Sequence, residues 1–189
     1  MDSETKENNF LNFIKINSKI LVSITVLLIF VILFTFWNLN KISNKKVQIS
    51  DNFVKAQVLL INQNIDEAKE ILIELVKTKN SPYSSLSLFL IIENNLISDK
   101  QKVINYFDLV FENNKFKKED LNLLKLKKAI FISDIKKEQE IIELLNPLIN
   151  SDSVWKVHAL KFLGDFYESS NQQMKAQQYY SLISEIDRK

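Results

Sequence analysis

Apolar residues are arranged differently in two parts of the chain. From Ile20 to Leu39 they follow one another almost without interruption, and no charged residue occurs among them. After about residue 45 they recur every three or four positions, which is the spacing of residues on one face of an α-helix. The pattern therefore predicts one continuously apolar helix, followed by a series of amphipathic helices.

Short polar segments interrupt the amphipathic region and predict its loops. Ser98 with Gln101, and Asn64 with Glu67, have the spacing of a capping box at the start of a helix. The seven polar segments are residues 62–64, 78–81, 94–98, 112–118, 133–137, 150–153 and 169–173. They leave about eight helices of roughly 10 to 16 residues each, so we expect an all-α domain with short loops.

The end of the chain contains a repeat signature. Leu163-Gly164, Tyr167, Ala176 and Tyr180 have the offsets of the tetratricopeptide repeat (TPR), which this segment resembles. Small residues at 164 and 176 let two antiparallel helices approach closely. Because glycine inside a helix costs about 1 kcal/mol relative to alanine, we expect the only glycine of the chain to serve close helix packing.

The same register extends upstream through three more pairs with the same separation. These pairs are Ala56 with Ala68, Ile91 with Val103, and Ala129 with Ile141, and the positions equivalent to Tyr180 hold Leu72, Phe107 and Leu145. Larger residues replace the usual small ones in the middle two hairpins, which we expect to be more splayed. The sequence therefore predicts an all-α fold, with one N-terminal transmembrane helix before a TPR-like α-solenoid of about four helical hairpins.

The apolar run has the length of a membrane span. Lys19 and Lys41 bracket it, and its residues would cover about 30 Å as a helix, the thickness of a hydrocarbon core. A buried core helix would rarely be apolar on every face, and no Ala-x-Ala cleavage pattern indicates a signal peptide. We therefore expect a polar arm at residues 1–19, a transmembrane anchor at 20–40, a linker at 41–50 and a TPR-like domain at 51–189.

Flanking lysines do not decide the orientation of this anchor. The positive-inside rule counts basic residues near a span. Lys6, Lys15 and Lys19 precede the run, and Lys41, Lys45, Lys46 and Lys55 follow it. Three against four leans towards a cytoplasmic C-terminal domain, and the question stays open.

Composition excludes several chemistries. The chain of 189 residues has no cysteine, one glycine and one histidine, with a net charge of +2. Thiol nucleophiles, phosphate-binding glycine loops and most catalytic zinc sites are therefore excluded. Nor does any basic stripe favour nucleic acid. We expect no enzyme activity, no catalytic residue, no metal and no cofactor.

An anchor, a short linker and a degenerate repeat array together resemble the ancillary SecYEG translocon subunit family of membrane-anchored TPR-like proteins. The resemblance covers nearly the whole chain and includes the stretches 81–86 (SPYSSL) and 153–155 (SVW). It implies a single-pass bacterial inner-membrane protein, N-in, with a periplasmic domain. The implied partners are the Sec translocon, a periplasmic chaperone of the prolyl-isomerase type and exported polypeptides. The chain departs from the family in ending soon after its fourth hairpin and in its lysine balance.

The inner surface of the repeat array is the candidate partner-binding site. The register places the following residues on a groove: Phe53, Gln57, Leu60, Leu88, Ile92, Leu126, Ile130, Lys161, Asp165 and Glu168. The middle of this set is apolar, which suits an amphipathic helix or a non-native hydrophobic segment. The alternative is that neighbouring helices cover these residues as core.

Three functional hypotheses follow. The first is an accessory factor of the Sec translocon that passes exported proteins to periplasmic chaperones, and the second is a cytoplasm-facing TPR scaffold for the assembly of membrane complexes. The third, a membrane enzyme or receptor, lacks clustered histidines, cysteines or carboxylates in the span. Ser153, His158 and Asp165 are the residue types of a catalytic triad, but no oxyanion glycine accompanies them.

Overall fold

The computed structural model describes residues 18–135, 138–186 and 188, without the side chains of residues 18–22, 24–26, 38–40, 42 and 43. In this part the chain is all-helical, as the sequence predicts, and contains no strand. The helices are α1 (Ser18–Ile61), α2 (Ile65–Val76), α3 (Ser81–Glu93), α4 (Lys100–Asn113), α5 (Lys118–Ile132), α6 (Glu138–Ile149), α7 (Lys156–Ser169) and α8 (Gln173–Ile186).

The chain divides into two compact units between Asp51 and Asn52, within α1. Residues 41–50, the predicted linker, belong to this helix. No helix among the described residues is both long and apolar enough to cross a bilayer. The predicted anchor at 20–40 includes side chains outside the described set, and the predicted arm at 1–19 lies almost wholly outside it.

The second unit contains four antiparallel helical hairpins. Their first helices are the end of α1, α3, α5 and α7, and their second helices are α2, α4, α6 and α8. Aromatic side chains connect neighbouring hairpins. Phe53 contacts Tyr83 with ring centroids 5.4 Å apart, and Trp155 Nε1 donates a hydrogen bond of 3.1 Å to the Glu119 carbonyl oxygen. All seven polar segments predicted from the sequence overlap the intervals between these helices.

Burial follows the predicted repeat register. All eight paired positions, from Ala56 and Ala68 to Gly164 and Ala176, are buried. Six of them, all but Ala68 and Gly164, belong to two hydrophobic cores, one extending from Ala56 to Leu124 (the first core) and one from Ile104 to Ala176 (the second core). Because α4 and α5 each place residues in both cores, they join the two halves of the array.

Three first helices end in the same way, without glycine. Gln63, Asn95 and Asn171 have positive φ angles of 62°, 51° and 57°. The residue after each donates its backbone N–H back to the helix, as from Leu96 to the Ile91 carbonyl oxygen at 3.0 Å. This is the hydrogen-bond pattern of a Schellman cap. Asparagine tolerates the left-handed conformation, so two of these caps use it.

The predicted helix start is correct in place for α2 and one residue early for α4. The N-cap of α4 is Asp99, whose carboxylate accepts from Lys102 N–H at 3.2 Å, and the predicted Ser98 lies one residue earlier. Asn64 does occupy the N-cap position of α2, but its side chain forms no capping hydrogen bond. The capping-box interpretation is therefore wrong for Ser98, because Asp99 occupies the N-cap position and its carboxylate accepts from Lys102 N–H.

The fourth hairpin has the closest packing of helix on helix. Gly164 lies against the ring of Tyr180, and a Cβ at position 164 would come within 2.8 Å of the ring atoms Cδ1 and Cζ. A methyl group here would require the Tyr180 ring to shift, so the glycine serves close helix packing, as the sequence predicts. In the second hairpin, where Ile91 and Val103 occupy the equivalent positions, α3 and α4 approach each other along less of their length.

Candidate binding groove

Two open cavities lie between the first helices α3 and α5. The first, of about 280 Å³, is lined by Ser81, Pro82, Ser85, Leu86, Phe89, Asp120 and Leu123. The second, of about 220 Å³, is lined by Phe89, Ile92, Glu93, Lys127, Ile130 and Phe131. Since Phe89 borders both cavities, they form one surface, which we call the α3–α5 groove.

Helical spacing explains why these side chains share a face. Leu86, Phe89 and Ile92 are three residues apart along α3, and residues at that spacing lie on the same side of a helix. Leu123 and Ile130 are seven apart on α5, which is about two turns. Leu86 is 43% exposed and Ile130 is 46% exposed, so the groove presents large apolar side chains to solvent.

The two ends of the groove differ in charge. At the end near Ile92, Lys127 Nζ lies 3.5 Å from Glu93 Oε1 and 5.4 Å from the centroid of the Phe89 ring. Asp120 lies at the opposite end and forms no ion pair with any described residue. The Ser85 hydroxyl also lines this end, and its buried oxygen has no hydrogen-bond partner among the described residues.

On α3 and α5, the structure separates the predicted groove residues into two groups. Ile92 and Ile130 lie together in the second cavity. Leu88 and Leu126 are instead buried, at 0% and 5% exposure, in the first and second core respectively. Their placement in an open groove is corrected, because neighbouring helices cover them on all sides.

The predicted groove residues of α1 lie outside the α3–α5 groove. Phe53 and Leu60 are half-buried and pack against the first core, whereas Gln57 is exposed. The sequence prediction missed four apolar residues that do line the groove: Leu86, Phe89, Leu123 and Phe131. The sequence shows the helical spacing of these residues, but the repeat register places neighbouring positions on the groove in their stead.

The predicted charged residues Lys161, Asp165 and Glu168 form a network on the fourth hairpin. The Tyr180 hydroxyl lies 2.7 Å from Asp165 Oδ1 and 2.9 Å from Glu168 Oε2, and Lys161 Nζ lies 3.0 Å from Asp165 Oδ2. The hydrogen bond from Tyr180, followed by that from Lys161, lowers the pKa of Asp165 below its ordinary value. These side chains are exposed, but they hold the ring that packs on Gly164.

The stretch 153–155 forms a polar junction between the third and fourth hairpins. The Ser153 hydroxyl donates to Glu119 Oε2 at 2.7 Å and accepts from the buried Asn122 amide at 3.0 Å. The hydrogen bond from Ser153 is the main cause that lowers the pKa of Glu119. Ser153 and Asp165 thus have separate partners, so the structure does not assemble them with His158 as a triad.

A second polar contact joins the same two hairpins. The Tyr167 hydroxyl donates to Glu138 Oε1 at 2.7 Å, and Lys175 Nζ donates to the same oxygen at 2.8 Å. The hydrogen bond from Lys175, followed by that from Tyr167, lowers the pKa of Glu138. Burial, together with the bond to Glu138, raises the pKa of Tyr167. Glu138 therefore links the start of α6 to both helices of the fourth hairpin.

No cluster of three or more histidine, cysteine or acidic side chains able to hold a metal occurs in the described part of the chain. Comparison with family models, with curated proteins and with solved structures finds no match to this chain. The functional assignment therefore depends on the sequence resemblance and on the groove itself.

Proposed function

We propose that this protein is a membrane-anchored, TPR-like module that binds other proteins through the α3–α5 groove. The observation that carries the proposal is the groove's apolar lining, with six large apolar side chains from two helices around two adjoining cavities. Burial of such side chains by a partner segment supplies binding free energy of about 25 cal/mol per Å² of apolar surface, before ordering costs. Grooves of this kind suit an amphipathic helix.

Exposed apolar side chains of α1 support the anchor. Every large apolar side chain from Leu27 to Trp37 is at least half exposed, on all faces of the helix. The one polar side chain within that stretch, Thr35, donates its hydroxyl to the Ile32 carbonyl oxygen at 2.8 Å. Lys41 lies over the Trp37 ring, 3.7 Å from its centroid, a pairing suited to the bilayer interface.

The particular role that we propose is that of an accessory factor at the Sec translocon. Its partners would be the translocon, a periplasmic chaperone of the prolyl-isomerase type and exported polypeptides. The resemblance to the ancillary SecYEG translocon subunit family supports this role. The protein would act by binding alone, without catalysis, metal or cofactor, and anchoring beside the translocon would raise its effective concentration for emerging chains.

The second candidate function is a cytoplasm-facing TPR scaffold for membrane-complex assembly. The observation that favours it is the lysine balance around the apolar run, with three before it and four after it. Both functions use the same groove. They differ in the side of the membrane on which it lies.

Site-specific photocrosslinking from the groove tests the proposed function. A photoreactive amino acid at Ile130 should capture translocon subunits, a periplasmic chaperone or exported chains in living cells. The same residue at Ile65 is a matched control, because Ile65 is 42% exposed but does not line the groove. Identical products from both positions, or only cytosolic proteins from Ile130, would contradict the proposal.

A further inference from the structure

Two polar groups in the α3–α5 groove have no partner within the described residues. Asp120 carries its charge at the end of the first cavity, and the Ser85 oxygen is buried in the wall of that cavity. A buried hydroxyl without a partner costs about 1–3 kcal/mol, so such groups are normally satisfied by water or by a ligand. The first cavity therefore combines an apolar wall with the Asp120 carboxylate, which has no ion-pair partner among the described residues.

Charges around the groove indicate the sign of its ligand. Glu93 and Lys127 neutralise each other at the far end. Lys117 and Lys118 precede Asp120 in sequence but line neither cavity. The groove lining therefore carries one uncompensated negative charge, at a defined end, which complements a lysine or arginine.

Groove length indicates the size of the ligand. From Pro82 to Glu93 the lining residues of α3 extend over about 17 Å, at 1.5 Å per residue. A helical segment of about three turns has this length, and its residues at i and i+4 or i+7 would reach the two cavities in turn. Each cavity can take one apolar side chain.

We propose that the α3–α5 groove selects an amphipathic segment of a partner protein, with two apolar side chains in the two cavities and a basic residue paired with Asp120. This inference rests on the proposed protein-binding function and specifies the chemistry of the partner. The apolar side chains supply affinity, and Asp120 supplies orientation and preference.

Three labelled 12-residue peptides test the inference against the full-length protein in detergent micelles. They share two leucines at i and i+4 and differ only at one terminal position, which is lysine, glutamine or glutamate. By fluorescence anisotropy, the lysine peptide should bind about fivefold more tightly than the glutamine peptide, and the glutamate peptide more weakly still. Asp120→Asn should remove this preference, whereas Asp66→Asn, a first-turn aspartate of α2 outside the groove, should leave it unchanged.

Two further variants distinguish the inference from the function on which it rests. Ile130→Asp should abolish binding of all three peptides, and Ile65→Asp should not. Equal affinities for the three peptides, still lost in Ile130→Asp, would overturn the role of Asp120 and leave the groove as a docking site. Binding insensitive to Ile130→Asp, no binding at all, or a homodimer that this variant dissociates would overturn both.

Discussion

At the residue scale, the difference between a core and a groove position is one step along a helix. Leu88 is fully buried, whereas Phe89 borders both cavities. Each residue turns the helix by about 100°, so the repeat register alone does not determine which helix face is accessible to a partner. From Leu88 to Ile92 all five residues are apolar, and polarity therefore cannot make that choice.

Where charges alternate with apolar residues, the accessible face could be predicted. On α7 the predicted Lys161, Asp165 and Glu168 are all exposed. Ile92 and Ile130, immediately after the buried register positions Ile91 and Ala129, line the second cavity. On α3 and α5, the predicted residues directly after a register position line the groove, whereas those three residues before it are buried.

The Gly164–Tyr180 contact predicts that Gly164→Ala changes stability in opposite directions with and without the Tyr180 ring. Gly164→Ala should destabilise the protein by about 1–3 kcal/mol, because the new methyl group overlaps the Tyr180 ring in a packed interface. In a Tyr180→Ala background the overlap is gone. The same substitution should then stabilise by up to about 1 kcal/mol, the helix preference of alanine over glycine.

Denaturant unfolding of the four proteins in this double-mutant cycle measures both effects. Tyr180→Phe is the control for the ring, since it keeps the overlap and removes only the hydroxyl bonds to Asp165 and Glu168. Gly164→Ala should remain destabilising in that variant. A stabilising Gly164→Ala in the otherwise unchanged protein would show that Tyr180 moves aside without cost.

At the element scale, the loops could be predicted because polar residues mark them clearly. Asn, Ser and Asp interrupt the apolar period at every hairpin, and Gln63, Asn95 and Asn171 take the left-handed conformation that ends three first helices. The sequence does not predict that α5 connects the two cores, because this depends on which core each of its apolar residues belongs to. Leu124 belongs to the first core and Leu126 to the second.

Glu138 makes the junction between the third and fourth hairpins sensitive to acid. Its native pKa lies below the ordinary value of 4.5, so its contribution to stability is complete above that pH and is lost as pH falls through the native pKa. Glu138→Gln should therefore destabilise the protein at pH 7, by about 0.5–1.5 kcal/mol for a hydrogen-bonded group of this kind. The two proteins should begin to converge in stability as pH falls below 4.5, and the convergence should be complete once pH is below the native pKa of Glu138.

Thermal unfolding at a series of pH values measures this convergence. Glu70→Gln is the matched control, because Glu70 is exposed on α2 and takes part in none of the hydrogen bonds at the junction. That variant should follow the unchanged protein at every pH. A constant difference between Glu138→Gln and the unchanged protein across the series would assign the effect to packing instead of charge.

At the scale of the whole molecule, apolar residues serve two different environments. In the second unit they form two cores and line the α3–α5 groove. In α1, every large apolar side chain from Leu27 to Trp37 is at least half exposed. Contiguous exposed apolar surface of this kind requires lipid or a protein partner to cover it, which is the physical basis for the proposed anchor.

The side of the membrane is the property of the whole molecule on which the two proposed functions diverge. Alkaline phosphatase joined after Lys189 should be active in living cells if the groove faces the periplasm, because the enzyme folds only outside the cytoplasm.

Leu28→Arg with Ile32→Arg should abolish that activity and release the fusion from the membrane fraction, since each arginine costs about 2.5–3.5 kcal/mol at the centre of a span. Met174→Arg, at an exposed position of α8, should change neither result. An inactive fusion that stays in the membrane fraction would place the groove in the cytoplasm, in agreement with the lysine balance, and would favour the assembly scaffold over the Sec accessory factor.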